Sequence, residues 1–126
     1  MHDIVERYLE ALASADVDAV LALFAPEGVV HSPLYGTMSA REFYPLLFAD
    51  TAESRLTLRQ VFRDGDRGVA FWFDFDWTLR DGTPAPFSVV DVAELDVDGR
   101  IERLHIVYDT APLRASFDHA TVARRQ

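Results

Sequence analysis

One stretch near the middle of the chain constrains the fold more than any other feature. In residues 69–79 every second side chain is large and apolar, and two carboxylates and a tryptophan lie at the positions between them. A period of two is typical of a β-strand with one buried face, because a helix would spread these side chains around its axis. The pattern therefore predicts a sheet with one apolar and one wetter face.

Three further stretches continue this pattern. Residues 56–63, 87–97 and 100–109 alternate between apolar and polar side chains, and short Asp-Gly turns separate the four segments. Asp-Gly pairs favour the tight turns of antiparallel hairpins. We therefore expect a run of four antiparallel strands in the second half of the chain.

The first part of the chain has helical spacing. A first helix is indicated by apolar residues at intervals of three and four, with Tyr8 on the inward face; they are Ile4, Val5, Tyr8, Leu9 and Leu12. Asp16 is suited to cap a second helix that carries Phe24 and ends at Pro26 and Gly28. Residues 29–31 predict only a small strand, and the residues after it a loop.

A third helix is predicted to begin at Ser39. Ser39 and Glu42 have the spacing of a capping box, in which each side chain bonds to the backbone of the other. Pro45 lies beyond the first turn and lacks an amide donor, which predicts a kink or a delayed start. The tail, residues 112–126, is expected to form a short helix or to stay loose.

These elements predict a single α+β domain over residues 1–126. In the expected arrangement, three helices pack on the concave side of a strongly curved antiparallel sheet.

Composition and charge exclude several classes of function. The net charge of −9 disfavours binding to nucleic acid or anionic membranes. The absence of cysteine excludes disulfides and thiolate chemistry, and the absence of lysine excludes Schiff-base enzymes. The amino terminus has neither a basic region nor a long apolar run, so we expect a cytoplasmic protein. The lack of Lys and Asn suggests a GC-rich bacterial genome.

Asp91 is the sharpest candidate for chemistry. It is the one charge on the apolar face of its predicted strand, where an ionised carboxylate is costly unless it is paired. It should therefore gain donors or stay protonated, and either state is useful in an active site. The alternative is a structural carboxylate that caps a backbone group at the sheet margin.

Tyr8, His31 and Ser32 are further candidates. An inward phenol such as Tyr8 needs a partner for its hydroxyl, although a packed core tyrosine is the simpler interpretation. His31 can titrate near neutral pH and act as a base, but neighbours on a strand face opposite sides, so His31 and Ser32 compete for one cavity. The alternative for His31 is a surface loop. The four histidines lack metal-binding spacing, and we expect no metal.

Together these residues carry a family resemblance. The chain is similar to the SnoaL-like and ketosteroid isomerase-like group of the nuclear transport factor two-like superfamily; the stretches that match are Glu6-Arg7-Tyr8, Ala22-Leu23-Phe24-Ala25, His31-Ser32-Pro33, Arg41-Glu42-Phe43-Tyr44 and Asp91. The resemblance implies a cone-shaped, mixed, curved sheet whose helices enclose an apolar cavity. It also implies a homodimer through the outer sheet face, where Trp72 is expected to be exposed.

The resemblance implies a cofactor-free isomerase, cyclase or dehydratase that acts on a small apolar carbonyl compound. Tyr8 and Asp91 match the pair that holds an enolate oxygen. The position of the usual base is taken by Ser32, which leaves His31 or Asp91 as the base and Ser32 to orient the substrate or a water. The expected cavity wall is Phe24, Tyr35, Phe43, Leu47, Phe87, Val89, Leu104, Ile106 and Tyr108. The alternative is a non-catalytic module of the same fold that binds a small apolar ligand or a partner.

Overall fold

The computed structural model describes residues 3–122. This part of the chain forms, in order, α1 Ile4–Ala13, α2 Val17–Leu21, β1 Phe24–Ser32, β2 Gly36–Ser39, α3 Ala40–Ala49, β3 Thr51–Asp64, β4 Gly68–Leu79, β5 Phe87–Leu95, β6 Ile101–Val107 and α4 Arg114–Ala120. None of the helices in residues 3–122 is both long enough and apolar enough to span a bilayer.

The strands form one mixed, curved sheet, and the α+β prediction is confirmed. Its order is β2-β1-β6-β5-β4-β3; β1 and β6 are parallel and the other neighbours are antiparallel. Helix α1 contacts β3, and α3 contacts β1, β2 and β3. The face of the sheet beneath these helices is called the inner face, and the opposite one the outer face.

The period-two pattern of residues 69–79 is confirmed. All the odd-numbered side chains of this strand are buried; they are Val69, Phe71, Phe73, Phe75, Trp77 and Leu79. The next strand buries Val89, Asp91 and Ala93 on the same side but ends at Leu95, so Val97, expected on the apolar face, is exposed. The strand stops because the Asp96 carboxylate accepts hydrogen bonds from the amides of Asp98 and Arg100 in the turn.

Side-chain caps set the starts of α1, α2 and α3, and the caps at Asp16 and Ser39 were predicted from the sequence. Asp3 accepts from the amide of Glu6, Asp16 from that of Ala19, and Ser39 from that of Glu42. The start of α3 is not delayed by Pro45, which lies within the continuous helix.

The region between α2 and α3 differs from the prediction. Helix α2 ends at Leu21, and Phe24 begins a nine-residue strand instead of lying on the helix. Parallel pairing with β6 extends β1 across Pro26 and Gly28, and the pairing register shifts between Phe24 and Val29 to accommodate them. The expected loop contains β2, so the sheet has six strands over the described residues.

The tail forms the short helix α4. Phe117 is buried, with its ring centroid 5.2 Å from that of Tyr35 and 6.0 Å from that of Trp77. This fourth helix was one of the two predicted outcomes for the tail, and residues 123–126 lie outside the described part of the chain.

Gly28 is predicted to be essential for the path of β1. An added Cβ would lie 2.7 Å from Cδ2 of Phe24 and 3.0 Å from the carbonyl oxygen of Ile101. Gly28→Ala should therefore lower the free energy of unfolding by about 1–3 kcal/mol, measured by urea denaturation. Gly68→Ala is the matched control, because its Cβ would meet atoms of Asp64 no closer than 3.4 Å. Equal stability of the two variants would contradict this account of Gly28.

Candidate functional site

A small cavity lies between the helices and the inner face of the sheet. Its volume is about 40 Å³, and its wall is largely aromatic; the lining residues are Tyr8, Leu12, Ser32, Tyr35, Phe43, Leu47, Phe73, Phe75, Phe87, Val89, Asp91 and Ile106. Strand alternation supplies the sheet side of this wall, and the inward faces of α1 and α3 supply the other side.

Asp91 lies at the centre of the inner face. On β5 it is paired in register with Phe71 of β4 and Ile106 of β6, and only 2% of its surface is exposed. Among residues 3–122, no group donates a hydrogen bond to its Oδ1. Burial raises the pKa of Asp91 well above its usual value, and the side chain of Tyr8 opposes this shift in part. The site therefore favours the protonated carboxylic acid.

Two buried tyrosines complete the polar cluster. The hydroxyl oxygens of Tyr8 on α1 and Tyr44 on α3 are 2.8 Å apart and share a hydrogen bond in which either can be the donor. Burial raises the pKa of both phenols well above the usual value, so both keep their protons near neutral pH. When Tyr44 donates to Tyr8, the Tyr8 proton is free to bond to Asp91 or to an oxygen in the cavity.

Tyr44 lies in one of the stretches that carry the family resemblance, but the sequence did not predict it as a site residue. It is fully buried on the inward stripe of α3, together with Ala40, Phe43 and Leu47. The three- and four-residue spacing of this stripe is visible in the sequence, so the helical period alone could have placed Tyr44 inside.

The turn that follows β1 places Ser32 and Tyr35 in the wall of the cavity. The Ser32 hydroxyl accepts hydrogen bonds from the amides of Leu34 and Tyr35, at 3.2 and 3.1 Å, and so holds the turn. The Tyr35 hydroxyl donates to Oδ2 of Asp50 over 2.7 Å, and Asp50 is fully buried at the end of α3. Asp50 is a second inward carboxyl that the sequence patterns did not reveal.

His31 does not enter the cavity. Its neighbour Ser32 occupies the inward position of β1, so the imidazole lies on the outer face, where it stacks on His105. The expectation that His31 acts as a base within the cavity is therefore not supported by its position, for the geometric reason that adjacent strand residues face opposite sides.

Six residues expected in the wall do line the cavity: Tyr35, Phe43, Leu47, Phe87, Val89 and Ile106. Three others lie elsewhere. Phe24 packs against the Tyr44 ring, Leu104 is buried in the core, and Tyr108 packs against Phe87 with ring centroids 4.3 Å apart. Leu12, Phe73 and Phe75 line the cavity but were not predicted to do so.

A metal site is not evident in the described residues. Within residues 3–122, no group of three or more His, Asp or Glu side chains is placed to hold a metal ion.

Solved structures with the same fold are numerous. A crystal structure of TerC co-crystallised with polyporic acid matches 90% of this chain and 95% of its own, with a TM-score of 0.76 and 20% identity. SalBIII, described as an epoxide hydrolase/cyclase-like enzyme in pyran ring formation of the polyether salinomycin, matches 86% and 90%, with a TM-score of 0.75 and 19% identity. An NTF2-like protein of unknown function from Burkholderia pseudomallei K96243 matches 88% and 92%, with a TM-score of 0.74 and 24% identity.

These likenesses show the nuclear transport factor two-like fold, which agrees with the curved sheet and its helices. The family model of the SnoaL-like domain matches residues 5–104, a span that includes Tyr8, Tyr44 and Asp91. The chain belongs to the SnoaL-like domain family.

Proposed function

We propose that this protein is a cofactor-independent enzyme of the isomerase, cyclase or dehydratase type that acts on a small, largely apolar carbonyl compound. Tyr8 and protonated Asp91 donate hydrogen bonds to the substrate oxygen as it gains enolate character. The observation that carries the proposal is a fully buried carboxyl beside a buried phenol in a largely apolar cavity. Membership of a family that includes cyclases and isomerases supports this class of activity.

The energetic argument rests on the low polarity of the cavity wall. Donors aimed at a developing negative charge are worth more when water is excluded, and losing one costs about 3–4 kcal/mol of transition-state stabilisation. A carboxylate at position 91 would repel an oxyanion, whereas the carboxylic acid can donate to it. The raised pKa of Asp91 therefore serves the proposed chemistry at neutral pH.

Tyr44 acts in this proposal as a positioning residue. By donating to the Tyr8 oxygen it directs the Tyr8 proton toward the substrate, and the 2.8 Å contact is short enough to hold that orientation. Ser32 orients the turn that carries Tyr35.

The size of the cavity limits the substrate. A volume of about 40 Å³ is far below the roughly 300–1,000 Å³ of pockets that hold drug-sized ligands. A substrate of more than a few atoms must therefore displace part of the aromatic wall. Tyr35 and Phe43 lie edge to face, with centroids 5.3 Å apart, on the side that the turn after β1 closes.

A non-catalytic binding module is the second candidate function. It is favoured because His31 lies outside the cavity. Among the described residues, the polar side chains that line the cavity are only Tyr8, Ser32, Tyr35 and Asp91. Proton abstraction from carbon needs a base, and Asp91 can serve as one only after losing its proton. Within the enzyme proposal, Asp91 therefore keeps its proton and donates a hydrogen bond to the substrate oxygen, while a water molecule accepts the proton that leaves carbon and returns it to the product.

We further propose that the protein forms a homodimer through the outer face of the sheet. Trp72 is 40% exposed there, although tryptophan is usually buried when no partner covers it.

The titration of Asp91 should be visible in protein stability. Because its folded pKa is raised, its contribution to the free energy of unfolding is full below about pH 3.9 and is lost as pH rises toward the folded pKa. The loss is at most about 1.4 kcal/mol per pH unit. Urea denaturation between about pH 5 and pH 8 should therefore show this difference. As pH rises, the free energy of unfolding of Asp91→Asn should increase relative to that of the wild type.

The control is Asp74→Asn on the outer face. Hydrogen bonds from Arg59 and Ser88 lower the pKa of Asp74, so its titration lies below this pH range and the stability difference from wild type should stay flat. Parallel profiles for the wild type and Asp91→Asn would contradict the protonated carboxyl.

Phenol binding tests the oxyanion site directly, because a phenolate resembles an enolate. In ultraviolet titrations, affinity should increase with phenol acidity, and Tyr8→Phe or Asp91→Asn should weaken it about 10- to 100-fold. Tyr44→Phe should weaken it less, since Tyr44 acts through Tyr8. Asp76→Asn, on the outer face, is the control that should leave binding unchanged.

The same variants separate the two candidate functions. Turnover of a carbonyl substrate that falls with the loss of Tyr8 or Asp91 would support the enzyme. Binding of neutral apolar ligands that is indifferent to both residues, with no phenol response, would overturn the enzyme and favour the binding module.

A further inference from the structure

Two histidines stack on the outer face, away from the cavity. The His31 ring on β1 and the His105 ring on β6 lie nearly parallel, 8° apart, with centroids separated by 4.6 Å. They occupy the same register position of the parallel β1–β6 pair. The two histidines belong to a row of cross-strand neighbours that runs across the whole sheet. The other members of this row are Phe62, Ala70, Val92 and Thr37.

Hydrogen bonds define the protonation state of His31. Its Nε2 lies 3.3 Å from Nη1 of Arg103, and because a guanidinium can only donate, Nε2 must accept. Nδ1 then carries the proton and donates to the Thr37 hydroxyl over 2.9 Å. His31 is therefore a neutral imidazole in this arrangement.

The groups around His31 resist its protonation. Arg103 and His105 on β6 face it from one side, Thr37 on β2 from the other, and the carboxylate of Glu94 on β5 favours the cation. Desolvation, His105 and Arg103 together lower the pKa of His31. Glu94 itself is engaged by His105, whose Nε2 donates to Oε2 over 2.9 Å, and by Arg103 at 3.7 Å.

An apolar row runs beside the histidine row. Trp72, Val90 and Val107 are aligned across β4, β5 and β6. Trp72 and Val107 are exposed, as is Phe62 at the far end of the histidine row. An apolar band of this kind, next to the His31–His105 stack, is suited to face a second sheet.

Basic and acidic side chains lie next to each other beside this band, which favours a second copy as the occupant. Arg59 bonds to Asp74 on one side of the band, and Arg103 bonds to Glu94 on the other. Asp76 also lies opposite Arg55 in the β3–β4 register, so the charges beside the band offset one another in part, and two copies can approach here with less repulsion than the net charge of −9 implies.

We propose that the dimer formed through the outer face is pH-sensitive and that the His31–His105 stack is the sensing element. Protonation of His31 abolishes the acceptor for Arg103 and places a cation against Arg103 and His105 in the contact area, so the dimer dissociates at a pH lower than the ordinary histidine value of about 6.5. This inference rests on the homodimer proposed above and adds its regulation.

Sedimentation velocity at several protein concentrations tests the inference, at about pH 7.5 and about pH 5.5. The dimer dissociation constant of the wild type should rise by at least about tenfold between these values, as expected when association releases one proton or more. His31→Gln, which cannot be protonated, should show less than half of this change on a logarithmic scale. His119→Gln on α4 is the control and should behave like the wild type.

The outcomes separate the inference from its premise. A dimer whose dissociation constant does not change with pH, or a His31→Gln variant with the wild-type change, overturns the pH sensor and leaves the dimer standing. A protein that is monomeric at both pH values overturns both. Dissociation that coincides with loss of the near-ultraviolet circular dichroism of the folded protein also contradicts the inference, because acid unfolding then explains it.

Discussion

The burial of one carboxyl group determines much of what this molecule can do. Strand alternation directs Asp91 into the inner face, where large apolar rings leave Oδ1 without a donor among the described residues. Transferring a charged carboxylate there is far more costly than keeping the proton. Tyr8 and Tyr44 share the same enclosed space, so three polar groups are held as donors in an apolar surrounding. The physical basis of the proposed oxyanion site is that these groups can donate hydrogen bonds although they carry no charge.

The two faces of β1 illustrate how one strand serves two purposes. Ser32 faces inward and holds the turn of Tyr35, whereas His31 faces outward and joins the row of side chains that crosses the sheet. Because the side-chain period of a strand is two, neither residue can take over the role of the other without a register shift. The cavity and the outer face are therefore built independently on the same backbone.

Local patterns in the sequence predicted the parts of the fold that depend on local physics. Alternation located β4 and the inward position of Asp91, and cap spacing located the start of α3 at Ser39. Pairing between distant segments was not visible. Pro26 and Gly28 look like breakers in isolation, but parallel pairing with β6 carries the strand through them. The sequence left His31 and Ser32 competing for the cavity because nothing local distinguishes the faces of the two residues.

The central claim is that Asp91 carries its proton at neutral pH inside the folded protein. The most direct measurement is the infrared difference spectrum between the wild type and Asp91→Asn at about pH 7. The account predicts a carbonyl stretching band of a protonated carboxylic acid that is present in the wild type and absent from the variant. A difference spectrum that contains only carboxylate bands would contradict the claim and remove the physical basis of the proposed site.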